Sequence, residues 1–253
     1  MNVKKIVDLS QPFGHDTPLW PYFPDIKIER FHYHAKSGVF TQWLWHPMHI
    51  STHADSPIHV IAGEWSTEQI PLDYYFGTGV IVDVGPKGKW EAITAEDLEK
   101  ATPKIEKGDI VIIHTHMHAK FGDNKDYFAR SPGLVPSAAE WLVEKGVKAV
   151  GVDQQALDHP LATAIGYHGP GPLLPDICAE YEAETGRSVK EDFPDWEPCH
   201  NILLGNHVMG FENVGGDIDE VLGQRVIIAG FPIRWVGGDG SMVRLVAIIE
   251  DED

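Results

Sequence analysis

His49-Ile50-Ser51-Thr52-His53-Ala54-Asp55-Ser56-Pro57-Ile58-His59 places three imidazoles and one carboxylate within eleven residues. His49 and His53 are four apart, as are Asp55 and His59, a spacing that would put each pair on one face of a helix. Pro57 and the β-branched Ile50, Thr52 and Ile58 oppose a continuous helix. On an extended chain His53 and Asp55 share a side, because alternate residues point the same way, and a modest bend adds His49. Neutral imidazoles with a carboxylate suit a borderline divalent ion such as zinc, manganese, iron or cobalt. Calcium would want more oxygens and no histidine. A surface or core role suits a lone histidine better than this cluster.

Working outward, the chain of 253 residues is long enough for one sizeable core or two small ones. It is 43% hydrophobic and 23% charged, ordinary for a globular protein. Asp and Glu number 38 against 20 Lys and Arg, a formal charge of −18, which speaks against a nucleic-acid or anionic-membrane surface. Two cysteines, Cys178 and Cys199, without a CxxC, exclude a structural Cys zinc site and a disulfide framework. With neither a signal-like start nor an apolar run of roughly 20 residues, a cytoplasmic location is expected.

Residues 5–9 read as a strand, followed by a proline- and aromatic-rich loop carrying Trp20 and Phe23, rings that suit core packing and pocket lining equally. Residues 26–45 alternate as strands, with His32 and His34 toward solvent. Thr78–Val84 and Asp109–His114 are apolar strands, and Thr94 with Asp97 opens a helix with a capping box. His114, His116 and His118 point one way if their strand continues, but no carboxylate follows until Asp123; substrate contact or hydrogen bonding is preferred to metal. Ser137 would cap a helix over 136–145, ended by Gly146, and Val147–Val152 is the next strand. Strand, helix, strand in this order is α/β grammar. Residues 166–199 break the pattern, with a helix near 177–184 and Tyr167, His168, Phe193 and Trp196 available for a pocket lid or a subunit contact. Residues 226–231 and 243–249 read as two strands joined by the glycine-rich turn 237–241. That turn lacks the Lys-Ser/Thr and following helix of a phosphate loop.

The eleven-residue stretch resembles the His-x-Gly-Thr-His-x-Asp-x-Pro-x-His signature of the cyclase-type metal-dependent hydrolases, which include bacterial kynurenine formamidase and isatin hydrolase. Ser51 stands where that family has Gly, at the cost of glycine's freedom at positive φ. The likeness extends to Asp8-Leu9-Ser10, the loop around Trp20, the string from Tyr127 to Asp158, and Gly240-Ser241 with Arg244. It implies one α/β domain over 1–253, with a β-barrel-like mixed sheet core and flanking helices (a swivelling β/β/α type) and an insertion at 166–199. It also implies that His49, His53 and Asp55 hold one ion and that His200 and Glu212 hold another bridged by Asp55. In the isatin hydrolase branch an amide replaces that Glu and one ion suffices, so Glu212 leans toward two ions. His207 has no such support. Family members are dimers or tetramers, so a homodimer or homotetramer is expected.

The chemistry expected is hydrolysis of an amide, cyclic amide or lactone in a small, ring-bearing substrate, the ring motivated by Trp20 and Phe23. Zinc or manganese, one ion or two, would acidify a water, and His59 would move the proton, its ordinary pKa near 6.5 suiting both directions. No Gly-x-Ser-x-Gly elbow offers a rival nucleophile. A metal-dependent lyase or dehydratase, and a non-catalytic metal or ligand binder, are the alternatives. Hydrolysis adds one water, a lyase removes a fragment, and a binder returns its ligand unchanged.

Overall fold

Val111 and Ile113 point to one side of the strand Ile110–His114, Ile110 and Ile112 to the other, and both sides are buried. A strand apolar on both faces belongs inside a sheet covered on each side. That is where it lies in the computed structural model, which describes residues 2–169 and 173–251. In chain order the strands are β1 (Val3–Asp8), β2 (Lys27–His32), β3 (Thr41–Trp45), β4 (His53–Asp55), β5 (Phe76–Asp83), β6 (Ala92–Ile93) and β7 (Ile110–His114). They continue with β8 (Gly133–Leu134), β9 (Ala149–Val152), β10 (Met209–Glu212), β11 (Arg225–Ala229), β12 (Gly240–Met242) and β13 (Val246–Glu250).

Nine of these form one sheet in the order β1-β13-β11-β5-β7-β9-β10-β4-β12. The block β5-β7-β9-β10 is parallel, and the flanking pairs are antiparallel. β13 and β12 stand second and ninth in that order, which in a flat sheet would separate them by roughly 34 Å. Only Val243, Arg244 and Leu245 connect them, a link that reaches about 14 Å. The sheet is therefore curled into a half-barrel, and Ser10 beyond β1 makes an antiparallel bridge to Val214 beyond β10. The expected barrel-like mixed sheet with flanking helices is what the chain builds.

One face of the sheet closes on Leu9, Ile81, Ile112, Phe211, Ile228 and Ala247. The other packs Val111, Ile113 and Val152 against Leu98, Leu142 and Leu203 of the helices Ala95–Lys100, Pro136–Lys145 and Pro198–Gly205. Thr94 and Asp97 form the expected capping box, Asp97 Oδ2 accepting from Thr94 N at 2.8 Å. Ser137 does not cap its helix. Pro136 occupies the first turn, where a missing N–H costs nothing, and Val135 is the N-cap.

Two further expectations need correction. The glycine-rich segment near 240 is not a simple turn between the last two strands: β11 and β13 pair, but between them the chain visits the far edge of the sheet as β12, beside β4. The strand Ile110–His114 also stops at His114, because His116 takes a left-handed backbone (φ 69°) and a 3-10 turn, Met117–Lys120, follows. Residues 27–45 form an exposed hairpin of β2 and β3 around the short helix His34–Ser37. Within 166–199, the helix Pro175–Thr185 buries Ile177 and Tyr181 against Trp90, Tyr127, Phe128 and Leu161 in a third apolar cluster. The Pro-Gly-Pro of that stretch, 170–172, lies outside the described residues.

Ser51, just before β4, has φ 51°. A side chain costs roughly 1–2 kcal/mol in that region, and here the Ser51 hydroxyl offsets part of this by donating to Gln11 O at 3.1 Å. Alanine keeps the strained Cβ and loses the bond, whereas glycine relieves the strain. Urea unfolding of metal-free protein should find Ser51→Ala less stable than Ser51→Gly by about 1 kcal/mol; equal stabilities would show that the backbone is not strained there.

Candidate metal centre

β4 is three residues long, lies between β10 and β12, and has no solvent face. Its alternation sends His53 and Asp55 to one side, His53 Nε2 lying 3.3 Å from Asp55 Oδ1. The partners of Asp55 across both ladders are glycines, Gly210 and Gly240. A Cβ on Gly210 would stand 3.2 Å from Asp55 Oδ2, and one on Gly240 would stand 2.8 Å from His49 Cε1. The two glycines thus make the room in which the carboxylate and imidazole sit.

The distal pair arrives from two elements. His200 lies on the helix Pro198–Gly205 and Glu212 ends the strand β10. Glu212 Oε2 is 3.4 Å from His53 Nε2, and Glu212 Oε1 is 3.0 Å from His200 Nε2. His200 Nε2 is 3.7 Å from Asp55 Oδ2. All five residues expected as ligands therefore converge in two trios, His49-His53-Asp55 and Asp55-His200-Glu212, which share Asp55. His53, Asp55, His200 and Glu212 are buried.

Each ring is aimed by its other nitrogen. His53 Nδ1 donates to Ser51 O at 2.9 Å, and His200 Nδ1 donates to Asp158 Oδ2 at 2.6 Å, so both present Nε2 inward. Asp158 is itself held by the backbone N–H groups of Cys199 and His200 at the helix start. His49 lies between Asp55 Oδ1 at 2.8 Å and Asp239 Oδ2 at 3.0 Å. His59 stacks on His49 with centroids 3.9 Å apart and tilts toward His200 at 6.0 Å.

The electrostatics call for positive charge. Burial pushes His53 down, but the Asp55 and Glu212 carboxylates outweigh it and raise it to about 10. His200 is also raised, Asp158 and Glu212 outweighing its burial. Burial would raise Asp55, yet His53 and His49 hold it well below the carboxylate range. His59 shifts the other way: the protein around its ring and the nearby His49 lower it, so it is neutral at pH 7. A divalent cation suits this donor set. Asp55 Oδ2 and His53 Nε2 are buried without a hydrogen-bond partner, and the 3.0–3.4 Å separations bracket the roughly 3.3 Å between ligands of a tetrahedral ion with ~2.0–2.1 Å bonds.

Above the imidazoles opens a cavity of ≈ 450 Å³ walled by Trp20, Tyr22, Phe23, Phe128 and Trp196, with His49, His53, His59, His200 and Glu212 at its base. Trp20 and Phe23 thus face the candidate centre. His114, His116 and His118 do not line this cavity. They gather elsewhere with Asp83, Asp153 and Asp219, acids that the linear sequence places far from them.

Three acids of the centre escape a reading by motif. Asp239 sits in the segment taken for a turn, Asp158 acts through backbone amides, and Glu197 lines the cavity with a left-handed backbone of φ 47°. Burial pushes Glu197 up. The sequence offers Asp158 only as the end of the stretch from Tyr127 that resembles the family, and Asp239 only as a lone acid among glycines.

Comparison with known proteins agrees with this architecture. Kynurenine formamidase of Bacillus anthracis is 29% identical over 159 residues, 62% of this chain and 72% of that protein. Kynurenine formamidase of Bordetella avium is 24% identical over 170 residues, 66% and 77% of the two chains. An isatin hydrolase solved with the product analogue thioisatinate superposes with a TM-score of 0.75 at 22% identity, covering 98% of this chain and 93% of that one. A potential metal-dependent hydrolase with cyclase activity gives 0.69 at 19% identity, covering 98% and 99%. At these identities the solved structures speak for the fold. The family model named Cyclase matches residues 7–159, more than half of the chain and the whole of the His49–His59 motif, and the chain belongs to that family.

Proposed function

We propose that the protein is a metal-dependent hydrolase of an amide, cyclic amide or lactone bond in a small, ring-bearing substrate, acting on C–N bonds other than peptide bonds. The observation that carries this reading is the meeting of two donor trios at Asp55 beneath an aromatic-walled cavity. The names of the relatives, kynurenine formamidase and isatin hydrolase, support the same class of bond.

His49, His53 and Asp55 would hold one ion, zinc or manganese, and Asp55, His200 and Glu212 a second. When bound, such an ion polarises a carbonyl and acidifies a water. The rest falls to the chain. Trp20 and Phe23, on the cavity wall, offer apolar surface for the substrate ring to pack against. His59, neutral and open to the cavity, accepts the proton of the attacking water and returns it to the leaving nitrogen or oxygen. Asp239 turns His49 toward Asp55, as Asp158 turns His200.

The exposed hairpin residues Phe31, Phe40, Trp43 and Trp45 support a homodimer or homotetramer, since an apolar patch of this kind marks a contact surface. No helix among the described residues is long and apolar enough to cross a membrane.

Formanilides, isatins, cyclic imides and lactones incubated with metal-replete protein should gain one water by mass spectrometry; loss of a fragment would reassign the reaction to a lyase. His59→Ala should lower kcat by about 10²–10⁴-fold with the metal content by elemental analysis unchanged, and undiminished turnover would remove its role. Glu212→Gln should reduce two bound ions to one. Because His53 and His200 hold protons at pH 7 when metal-free, metal binding must displace them. Titration calorimetry in buffers of different ionisation enthalpy should record proton release, and affinity should fall about tenfold per pH unit for each proton displaced as the medium is acidified. A pH-independent affinity would contradict the ligand assignment.

A further inference from the structure

His114 closes β7 at the C-terminal end of the parallel block, with no solvent exposure. Neither of its ring nitrogens has a hydrogen-bond partner among the described residues. Such a ring carries a buried N–H and a buried lone pair that are both unmet, which costs a few kcal/mol. The surroundings are polar. The His116 and His118 rings lie 4.3 Å and 4.9 Å from it, centroid to centroid. His114 Nε2 is 3.2 Å from Asp219 Oδ1, and His118 Nε2 is 3.4 Å from Asp219 Oδ2. His118 Nδ1, also buried and unpartnered, is 3.6 Å from Asp153 Oδ2.

Asp153 is fully buried just beyond β9, and its orientation is fixed from behind. Its Oδ1 accepts from Thr115 N at 3.0 Å and from Thr115 Oγ1 at 2.6 Å, which leaves Oδ2 turned to His118. One ligand atom each from His114, His118 and Asp153 lies within 4.8 Å of the others. One buried imidazole with neither nitrogen hydrogen-bonded and a second with its buried Nδ1 unmet, both beside a fixed carboxylate, make a donor set rather than a hydrogen-bond network. Asp219, on an exposed 3-10 turn, is the side open to solvent and gives an ion its way in.

We propose that His114, His118 and Asp153, closed at the mouth by Asp219, form a separate binding site for a borderline divalent cation of the zinc type. Two imidazoles and a carboxylate match that class of ion. Its place differs from that of the Asp55 centre, because none of the four residues lines the catalytic cavity. Its effect is to fasten the segment after β7 to the end of β9. Gln11 Nε2 donates to His118 O at 3.2 Å, and this ties the fastening to the loop that carries Trp20 and Phe23.

The test is anomalous scattering at the zinc edge from crystals of the full chain grown with zinc, together with ions counted per chain by elemental analysis. A peak bounded by His114, His118 and Asp153 is expected in the wild type, and it should persist in Asp55→Ala, which empties the other centre. His118→Ala should lose that peak and one ion per chain while keeping those around Asp55. Asp219→Asn, an exposed change that spares the fold, should weaken binding at this site about tenfold or more. Absence of density between His114 and Asp153, or a His118→Ala ion count equal to the wild type, overturns the proposal and leaves the reading of the Asp55 centre standing. A peak here that vanishes in Asp55→Ala also overturns it, because the two sites would then not be separate.

Discussion

A carboxylate without solvent contact, Asp55, sets the terms for the rest of this structure. An isolated ionised acid in such a place would cost many kcal/mol, so it must be met by positive charge or take up a proton. Here His49, His53 and His200 surround it, and the acids Glu212, Asp158 and Asp239 in turn hold those rings. The result is a charge lattice with more carboxylates than any set of neutral imidazoles balances. Protons on His53 and His200 would balance it in a metal-free state, and a divalent cation would do so in their place. Metal loading and protonation are thus two answers to one electrostatic demand.

The fold exists in the form that delivers this lattice. β4 is too short to be stable alone, yet it is paired on both edges, and the glycines facing Asp55 in both ladders keep the face that carries it clear. The curl of the sheet is what lets β12 reach β4 while β13, three residues later, pairs with β11 and β1. A flat sheet would leave Asp239 tens of ångströms from His49. The curl therefore carries an acid from the C-terminal part of the chain to a histidine of the N-terminal part.

Legibility in the sequence follows the same division. The His49–His59 motif is readable because its residues are contiguous and their spacing has meaning on an extended chain. β5, β7 and β9 are readable because a parallel strand buried on both faces is an uninterrupted apolar run. His200 and Glu212 become readable only beside a family pattern, since a lone histidine on a helix and a lone acid on a strand have no periodic signal. The roles of Asp158 and Asp239 escape because the rings they hold, His200 and His49, lie 42 and 190 residues away. The His114 group shows the same limit: its alternation is visible, but the strand ends at His114, and the acids that complete the group come from β5 and from beyond β9 and β10. Alternation argues for convergence only while the strand lasts; here a left-handed His116 and a 3-10 turn achieve the convergence instead.

The acidity of the whole chain acts on both clusters. At a formal charge of −18 the protein draws cations toward its surface and repels anions, a bias that focuses in concave sites. An acidic background also makes it dearer to add another buried carboxylate without a counter-ion. The groups around Asp55 and Asp153 nevertheless keep theirs, each oriented by donors: His49 and His53 for the first, Thr115 for the second. Asp55 is thereby held well below the carboxylate range. A fixed carboxylate among imidazoles is a donor set that suits a divalent ion, and the net charge of the chain draws cations toward each of the two clusters.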